Sequence, residues 1–406
     1  MLNDNNKRMI FFWPHSIFKE VHWKKDPGAI PIGFSKLGYK VFLIVGRMNA
    51  IKNDSIETIE LCPYSRYLDE LEKEFDTVGS SNKYIFKVFK KIKKIISYIK
   101  ESINAAKLFT KINPSIILIE HAGLSSIFSI IIYRFISKKI SHKSINKKVL
   151  IKLDIDPNSI TNIHNNKNIS SSFFVIILIL VFILSDKIIV ESKCAYDELS
   201  KISFLKRFIK KISIIPNGYV EKYIKSNENN RKNIILSVGR IAKQKGFDIL
   251  IKSFQKVYQF HSDWQLRIVG PVVDEEHYKQ LQKLIKELKL ENSIIFTGEI
   301  DEKDLENEYN TASIFCLLSR YEGFPIVRSE AIAHKLPLII SEAGCGIEYE
   351  KYGSIVVPIE DIDKPTKAML DLIENSKLRE EISKKQLNAI LTWDEVAKKL
   401  EDISKL

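Results

Sequence analysis

The sequence predicts an α/β protein built from two doubly wound parallel sheets. The chain opens with an apolar strand, a loop, the end of a helix and a second apolar strand (residues 9–13, 14–32, 33–38 and 39–45). The same alternation restarts at Asn233 and continues to Pro358. Such alternation is typical of parallel sheets with helices on both faces. The turn signal Pro216-Asn217-Gly218 lies between the two halves, so we expect two domains.

The charge is distributed unevenly along the 406 residues, whose net charge is +13. Residues 1–216 carry 35 Lys and Arg against 19 Asp and Glu, or +16, whereas residues 217–406 carry 28 against 31, or −3. A basic half can bind nucleic acid, bind an anionic membrane surface, or be an ordinary solvated surface.

The cysteines show neither a CxxC pair nor a histidine at metal-ligand spacing; they are Cys62, Cys194, Cys316 and Cys345. We therefore expect reduced thiols in a cytosolic protein, and neither a disulfide framework nor a metal site. The polar start at 1–8 predicts no signal peptide. The longest apolar run, 173–184, has 12 residues, whereas a membrane span needs roughly 20. We interpret this run as a fully buried helix or strand rather than a membrane-inserted segment.

Residues 83–111 form the clearest amphipathic stretch, with nine lysines and one acidic residue. Apolar residues recur at intervals of three and four at Phe86, Phe89, Ile92, Ile96, Ile99 and Ile103. This pattern is typical of a helix on an anionic membrane, and equally of a domain helix with a solvated basic face. A second lysine cluster at 138–148 favours the membrane. The aromatic residues follow helical core spacing, which argues against base stacking on a nucleic acid.

Two glutamates separated by seven residues form the strongest candidate site. Glu322 follows an apolar strand at 313–319, and Glu330 lies in a helix-like segment that begins after the turn Gly323-Phe324-Pro325. Ligands of open α/β sheets bind outside the carboxyl ends of the strands, so both carboxylates can face one ligand there. The amide groups at the helix start suit an anion such as a diphosphate.

A second candidate loop, Gly239-Arg240-x4-Lys245-Gly246, follows the first strand of the second half. An arginine gives planar multidentate hydrogen bonds, a lysine gives a point charge, and glycines let the backbone approach a phosphate. The Gly-x4-Gly-Lys-Ser/Thr order of a Walker loop is absent.

Together these motifs resemble the retaining, family 4 nucleotide-sugar glycosyltransferases of the GT-B fold. The resemblance is dense from Asn233 to Pro358 and thinner before Pro216. It implies a Rossmann-like acceptor- and membrane-facing domain at 1–216 and a nucleotide-sugar-binding domain at 217–385. A helix at 386–406 is expected to cross back onto the first domain.

The resemblance also implies roles for individual residues. Arg240 and Lys245 would stabilise the departing diphosphate, Glu322 would bind hydroxyls of the donor sugar, and Glu330 would bind the ribose. Further donor contacts are expected from His121, Gly239, Gly323, Phe324, Pro325 and Gly28, the last in place of the glycine-rich loop that usually follows the first strand.

The expected function is transfer of a hexose from a nucleoside-diphosphate sugar, UDP rather than GDP, without a cofactor or metal. We expect the acceptor to be a lipid-linked or membrane-bound cell-surface glycan, such as a protein N-glycan precursor or a polysaccharide. The enzyme would be cytoplasmic and peripherally attached to the inner face of the cell membrane. Alternatives are a soluble glycosyltransferase or phosphorylase with a storage or small-molecule acceptor, a basic nucleic-acid-binding protein, and a non-catalytic sugar-binding relative.

Overall fold

The computed structural model describes residues 7–61, 83–120, 123–140, 147–154, 169–220 and 230–406. They form two parallel sheets, each covered by helices.

The first sheet has seven strands in the order β3-β2-β1-β4-β5-β6-β7, all paired in parallel. The strands are β1 (Arg8–Lys19), β2 (Lys40–Asn49), β3 (Ile56–Glu60), β4 (Ile116–Glu120), β5 (Lys148–Leu153), β6 (Lys187–Val190) and β7 (Ile212–Ile214). The strand order reverses between β1 and β4, which places a crevice at their carboxyl ends.

The second sheet repeats this topology with six strands in the order β11-β10-β9-β12-β13-β14. Its strands are β9 (Ile234–Val238), β10 (Gln265–Val269), β11 (Ile294–Gly298), β12 (Ile314–Leu317), β13 (Leu338–Ser341) and β14 (Ile355–Val357). The switch point lies between β9 and β12, where both candidate loops emerge. The short strands β8 (Gly218–Tyr219) and β15 (Leu391–Thr392) pair with each other.

The α-helices are α1 (Asp26–Lys36), α2 (Lys83–Ile112), α3 (Leu124–Ile140), α4 (Ile169–Leu184), α5 (Lys193–Lys201), α6 (Phe247–Tyr258), α7 (Glu275–Glu287), α8 (Glu302–Thr311), α9 (Ile326–Ala333), α10 (Asp363–Glu374), α11 (Ser376–Gln386) and α12 (Trp393–Lys405). The 3-10 segments are Glu20–Lys24, Ser203–Lys211, Lys243–Lys245, Gly346–Tyr352 and Leu387–Ala389. Among the described residues, no helix has the length and apolar character needed to cross a lipid bilayer.

The central strands are buried on both faces, which explains their continuous apolar sequences. All residues of β4, β9, β12 and β13 are buried. In each domain, apolar side chains from both faces of the sheet pack against the helices.

The C-terminal helix α12 packs on α1 of the first domain. It begins with a capping box between Thr392 and Glu395, which satisfies amide groups that helix formation leaves unpaired. Its buried face joins the first-domain core through Trp393, Val396, Ala397 and Leu400. Gly33 permits this approach, because a Cβ atom there would lie 2.5 Å from Cβ of Ala397.

Two local expectations were wrong. Strand β1 does not end at Pro14 but continues to Lys19, with a register shift between Trp13 and Ile17. The apolar run at 173–184 is helical, as α4, but it is not fully buried: Ile176 is 54% exposed and Ile183 is 49% exposed. A helix on the face of a sheet leaves its outer side to solvent whatever its composition.

Candidate active site

A buried ion pair joins the two candidate loops at the carboxyl ends of β9 and β12. Nζ of Lys245 lies 2.5 Å from Oε1 of Glu322, and the same oxygen accepts a hydrogen bond of 2.6 Å from Oγ of Ser319. The two charged side chains are 11% and 7% exposed. Burial of both partners makes this pair sensitive to loss of either one, because a lone buried charge is costly.

Two glycines allow this close approach. Gly246 has φ +66°, and a Cβ atom there would lie 2.0 Å from the backbone oxygen of Leu318, so the loop passes directly against the end of β12. A Cβ atom on Gly239 would lie 3.2 Å from Cε of Lys245, so the lysine stem covers that glycine. The structure therefore brings Gly239, Lys245 and Glu322 together.

Arg240 lies in the same loop with its side chain exposed. It makes no hydrogen bond or ion pair with any other described residue. Its guanidinium group is therefore available to a ligand at this edge of the sheet. An exposed cation beside a buried one suits an anion that enters from the cleft.

The turn after β13 packs against Glu322. Gly344 has φ +55°, and a Cβ atom there would lie 2.4 Å from Cβ of Glu322. The fully buried Arg328 of α9 donates hydrogen bonds of 2.7 Å to the Gly344 oxygen and 2.5 Å to the Ala343 oxygen. Burial lowers the pKa of Arg328. The position of Arg328 was not predicted from the sequence; its signal was an arginine next to small and apolar residues in the helix that also holds Glu330.

Glu330 lies beyond the turn Gly323-Phe324-Pro325, with Pro325 as the residue that precedes helix α9. Its Oε2 accepts a hydrogen bond of 2.9 Å from the Tyr309 hydroxyl. Burial raises the pKa of Glu330. Tyr309 also stacks on His334, with 5.0 Å between ring centroids, so the carboxylate has a rigid support.

Glu330 lines a cavity of about 280 Å³ between the two domains. The first domain contributes Lys24 and Lys25, and the second contributes Ile300 from the loop that follows β11. An ion pair between Lys24 and Glu302 crosses the cleft beside it. Glu322 is not among the residues that line this cavity.

Comparison with known proteins shows which family the second half of the chain resembles. Residues 220–388 match the family model described as glycosyl transferases group 1. The second half of the chain is therefore similar to group 1 glycosyl transferases. The predicted resemblance to GT-B glycosyltransferases is confirmed.

Relatives with curated names match over part of the chain. An uncharacterised glycosyltransferase of Haemophilus influenzae is 34% identical over 154 residues, which is 37% of this chain and 42% of that protein. A mannosylfructose-phosphate synthase of Agrobacterium fabrum is 26% identical over 243 residues, 55% of this chain and 53% of that protein. The chain thus spans about half the length of the curated relatives it matches.

Solved structures match over nearly the whole chain and confirm the predicted GT-B fold. The apo structure of OtsA has a TM-score of 0.68 at 13% identity and covers 99% of both chains. A glycosyltransferase of Rickettsia africae has a TM-score of 0.65 at 17% identity and covers 99% of this chain and 98% of that one. HepE of Anabaena, in complex with UDP and glucose, has a TM-score of 0.61 at 13% identity, covering 99% of this chain and all of that one.

Gly28 lies in the first turn of α1 rather than in a loop after β1. A Cβ atom on it would lie 2.5 Å from the His22 oxygen, so this glycine allows close packing of α1 on the 3-10 segment before it. The expectation of a phosphate-binding loop at Gly28 is therefore wrong. His121 lies outside the described residues.

The first domain also holds a buried charge cluster that was not predicted from the sequence. Lys152, which is 2% exposed, lies 2.8 Å from Asp26 Oδ2, pairs with Glu191, and lies 3.9 Å from Glu120. Asn217 donates to Glu191 over 2.9 Å. Burial raises the pKa of Glu120, and raises that of Glu191 to about 7. The signal was present as charged residues at or just after the ends of three apolar strands, β4, β5 and β6.

The cysteines depart from the expectation of unpaired thiols. Cys194 of the first domain pairs with Cys345 of the second, with their Cα atoms 5.8 Å apart. Cys316 is a buried free thiol, whose pKa burial raises. Cys62 lies outside the described residues. The pairing joins positions 151 residues apart, so no local spacing in the sequence could reveal it.

Proposed function

We propose that the chain is a retaining glycosyltransferase that moves a hexose from a nucleoside-diphosphate sugar to a membrane-bound glycan. The observation that supports this most strongly is the buried Lys245–Glu322 pair beside Gly239 and the exposed Arg240. A cation that is fixed before the ligand arrives needs little reorganisation when negative charge develops nearby.

The proposed chemistry depends on where negative charge develops on the donor during the reaction. When the bond between the sugar and the diphosphate breaks, the leaving diphosphate gains negative charge. Arg240 and Lys245 stabilise that charge, and Glu322 accepts hydrogen bonds from hydroxyls of the sugar, aided by the backbone at Gly323 and Phe324. Losing one such electrostatic contact typically costs roughly 10²–10³ in rate.

The nucleoside is proposed to occupy the cavity that Glu330 lines. A carboxylate there can accept hydrogen bonds from two hydroxyls of a ribose, and Ile300 offers an apolar contact for a base. We favour UDP over GDP as the leaving group. The complex of HepE with UDP supports that choice only through its shared fold.

A lipid-linked acceptor is proposed from the surface of the first domain. Helices α2, α3 and α4 adjoin one another on one face of the sheet, and α3 and α4 expose large apolar side chains to solvent. The exposed residues are Phe128, Ile131, Phe135, Ile176 and Ile183. We call this set the apolar face. The net charge of +16 on residues 1–216 complements an anionic membrane, where each lysine near the surface contributes about 1 kcal/mol.

The proposed location is the cytoplasmic side of the cell membrane, with the apolar face against lipid and the cleft open to nucleotide sugars. A soluble enzyme with a small-molecule acceptor is the alternative that the mannosylfructose-phosphate synthase of Agrobacterium fabrum supports.

The experiment measures the melting temperature of the protein with UDP, GDP, ADP and their sugars. At a ligand concentration near 100 times the dissociation constant, binding adds about 2.7 kcal/mol to stability. The donor that stabilises the protein is then radiolabelled in its sugar and supplied with a membrane lipid extract or with soluble sugars. Label in the lipid phase supports the proposal, and label only in soluble products supports the alternative. Stabilisation by DNA or RNA but by no nucleotide would overturn both.

A further inference from the structure

The Cys194–Cys345 pair bridges the cleft between the two domains. Cys194 is the second residue of α5, after β6 of the first sheet, and Ser192 caps that helix through the amide of Ala195. Cys345 lies in the turn after β13 of the second sheet. Their Cα separation of 5.8 Å is within the range that a disulfide requires. A covalent bond here would tie one domain to the other.

The turn that holds Cys345 is closely packed and adjoins Glu322, the proposed sugar contact. Cys345 itself has φ +59°, a left-handed conformation. A Cβ atom on the following Gly346 would lie 2.0 Å from the Ser341 oxygen, so the turn is packed against the end of β13. On its other side it contacts Glu322 through Gly344, as described above. A bond at Cys345 therefore fixes the backbone of the turn that packs against Glu322, the proposed sugar contact.

Glu348 completes this contact between the domains. Its Oε1 accepts a hydrogen bond of 3.1 Å from the amide of Cys194 and lies 3.6 Å from Sγ of the same residue. Burial raises the pKa of Glu348. The ligand atoms of Cys194, Cys345 and Glu348 all lie within 4.8 Å of one another. The two sulfurs thus meet next to a carboxylate, in a place that a small oxidant can reach, because Cys194 is only half-buried.

We propose that Cys194 and Cys345 form an oxidation-sensitive clamp that holds the two domains together and slows release of the nucleotide. This inference rests on the proposed function, since the nucleotide cavity is lined by both domains. Opening of the cleft is a common requirement for product release in enzymes of two hinged domains. The reduced protein can open, and the oxidised protein cannot.

Hydrogen peroxide can oxidise the two thiols to the disulfide in two steps. The sulfur of Cys194 attacks one oxygen of hydrogen peroxide, and the O–O bond breaks to give a sulfenic acid and one water. The sulfur of Cys345 then attacks that sulfur, the S–O bond breaks, and the leaving hydroxide takes the thiol proton as a second water. Two thiols lose two electrons, and the peroxide accepts them. A dithiol reductant reverses the step by thiol–disulfide exchange.

The test uses the full chain with Cys62→Ser and Cys316→Ala, so that only the proposed pair remains. This protein is compared, after dithiothreitol or hydrogen peroxide, with a matched variant that also carries Cys194→Ser. Peptide mapping without reduction identifies the bond, and stopped-flow measurement with a fluorescent UDP analogue gives the dissociation rate. Hydrogen exchange of peptides around Lys24 and Glu302, which face each other across the cleft, reports opening without any ligand.

We expect a Cys194–Cys345 peptide that dithiothreitol removes, and at least tenfold slower UDP dissociation and cleft exchange in the oxidised protein. The Cys194→Ser variant should respond to neither reagent. No such peptide, or a bond that leaves both rates unchanged, would overturn the clamp. Stoichiometric Zn²⁺ uptake by the reduced pair with resistance to peroxide would also overturn it. If the reduced protein does not bind UDP at all, the proposed donor fails, while the exchange measurement still decides the clamp.

Discussion

The Lys245–Glu322 pair should show strong energetic coupling in the absence of any ligand. Lys245→Met removes the cation and keeps most of the stem that covers Gly239. The Glu322 carboxylate, 7% exposed, then keeps the hydrogen bond from the Ser319 hydroxyl but loses its buried cation. Breaking a buried pair from one side typically costs roughly 3–5 kcal/mol. We expect a loss of that order in the free energy of unfolding of the second domain.

The double variant Lys245→Met/Glu322→Gln should be more stable than the sum of the single changes predicts, because no lone buried charge remains. The coupling expected for residues in direct contact is roughly 0.5–3 kcal/mol. Urea unfolding of the wild type, both single variants and the double variant measures it, with the transition of the second domain followed separately. A Lys245→Met protein as stable as wild type, or strictly additive costs, would refute the reasoning.

Three further predictions concern other parts of the molecule. Gly344→Ala should weaken stabilisation by a nucleotide sugar more than by the free nucleotide, because its Cβ atom would displace Glu322; Gly38→Ala, with φ +83° and no atom within 4 Å of its Cβ, is the control in the melting assay. Glu191 should contribute a loss of up to about 3 kcal/mol of stability as pH rises from 4.5 to about 7, because burial raises the pKa of its carboxyl from 4.5 to about 7. The folded protein favours the protonated carboxyl. Its contribution to stability is therefore complete below the pKa of the unfolded chain and is lost as pH rises through the pKa of the folded protein. Urea unfolding of Glu191→Gln at each pH should show a flatter profile, and an identical profile would contradict the assignment. Replacing Phe128 and Phe135, which are 44% and 62% exposed, by Ser should reduce binding to anionic vesicles at least tenfold, given about 1.5–3 kcal/mol per buried phenylalanine, without lowering the melting temperature. Equal flotation of variant and wild type would remove the apolar face from the proposal.

The fold of the second domain could be predicted well because short contiguous segments of the sequence specify its strands and loops. Each strand of the second sheet is a short apolar run bounded by turn residues, and the loops at Gly239 and Glu322 follow such runs directly. The strand expected at 313–319, for example, is observed as β12 at Ile314–Leu317. Gly246 and Gly344 have positive φ, which explains why glycines punctuate these loops.

The first domain was predicted less well because its site is assembled from distant parts of the chain. The charge cluster joins Asp26 of α1 to Lys152 of β5 and to Glu191, which follows β6, and only the strand order brings them together. Gly28 looked like a loop glycine because it follows a proline, yet Pro27 and Gly28 form the first turn of a helix. A proline is well tolerated there, since the first amide groups of a helix have no partner within it.

The contacts across the cleft were the least predictable. The pairing of Cys194 with Cys345 and the contact of Lys24 with Glu302 depend on how the two sheets face each other. No pattern within either half encodes that arrangement. The helix expected to cross back onto the first domain is present as α12, but the individual contacts that it brings about across the cleft are visible only in three dimensions.

Calorimetric titration of nucleoside diphosphates into the wild type, Arg240→Ala and Lys243→Ala tests the central claim most directly. Lys243 is the matched control, since it is another exposed cation of the same loop. We expect one nucleoside diphosphate to bind the wild type and the Lys243→Ala protein alike, and Arg240→Ala at least tenfold more weakly, which corresponds to about 1.4 kcal/mol. Binding of none of them, or equal losses in the two variants, would contradict the account of the loop at Gly239–Gly246 as the diphosphate site.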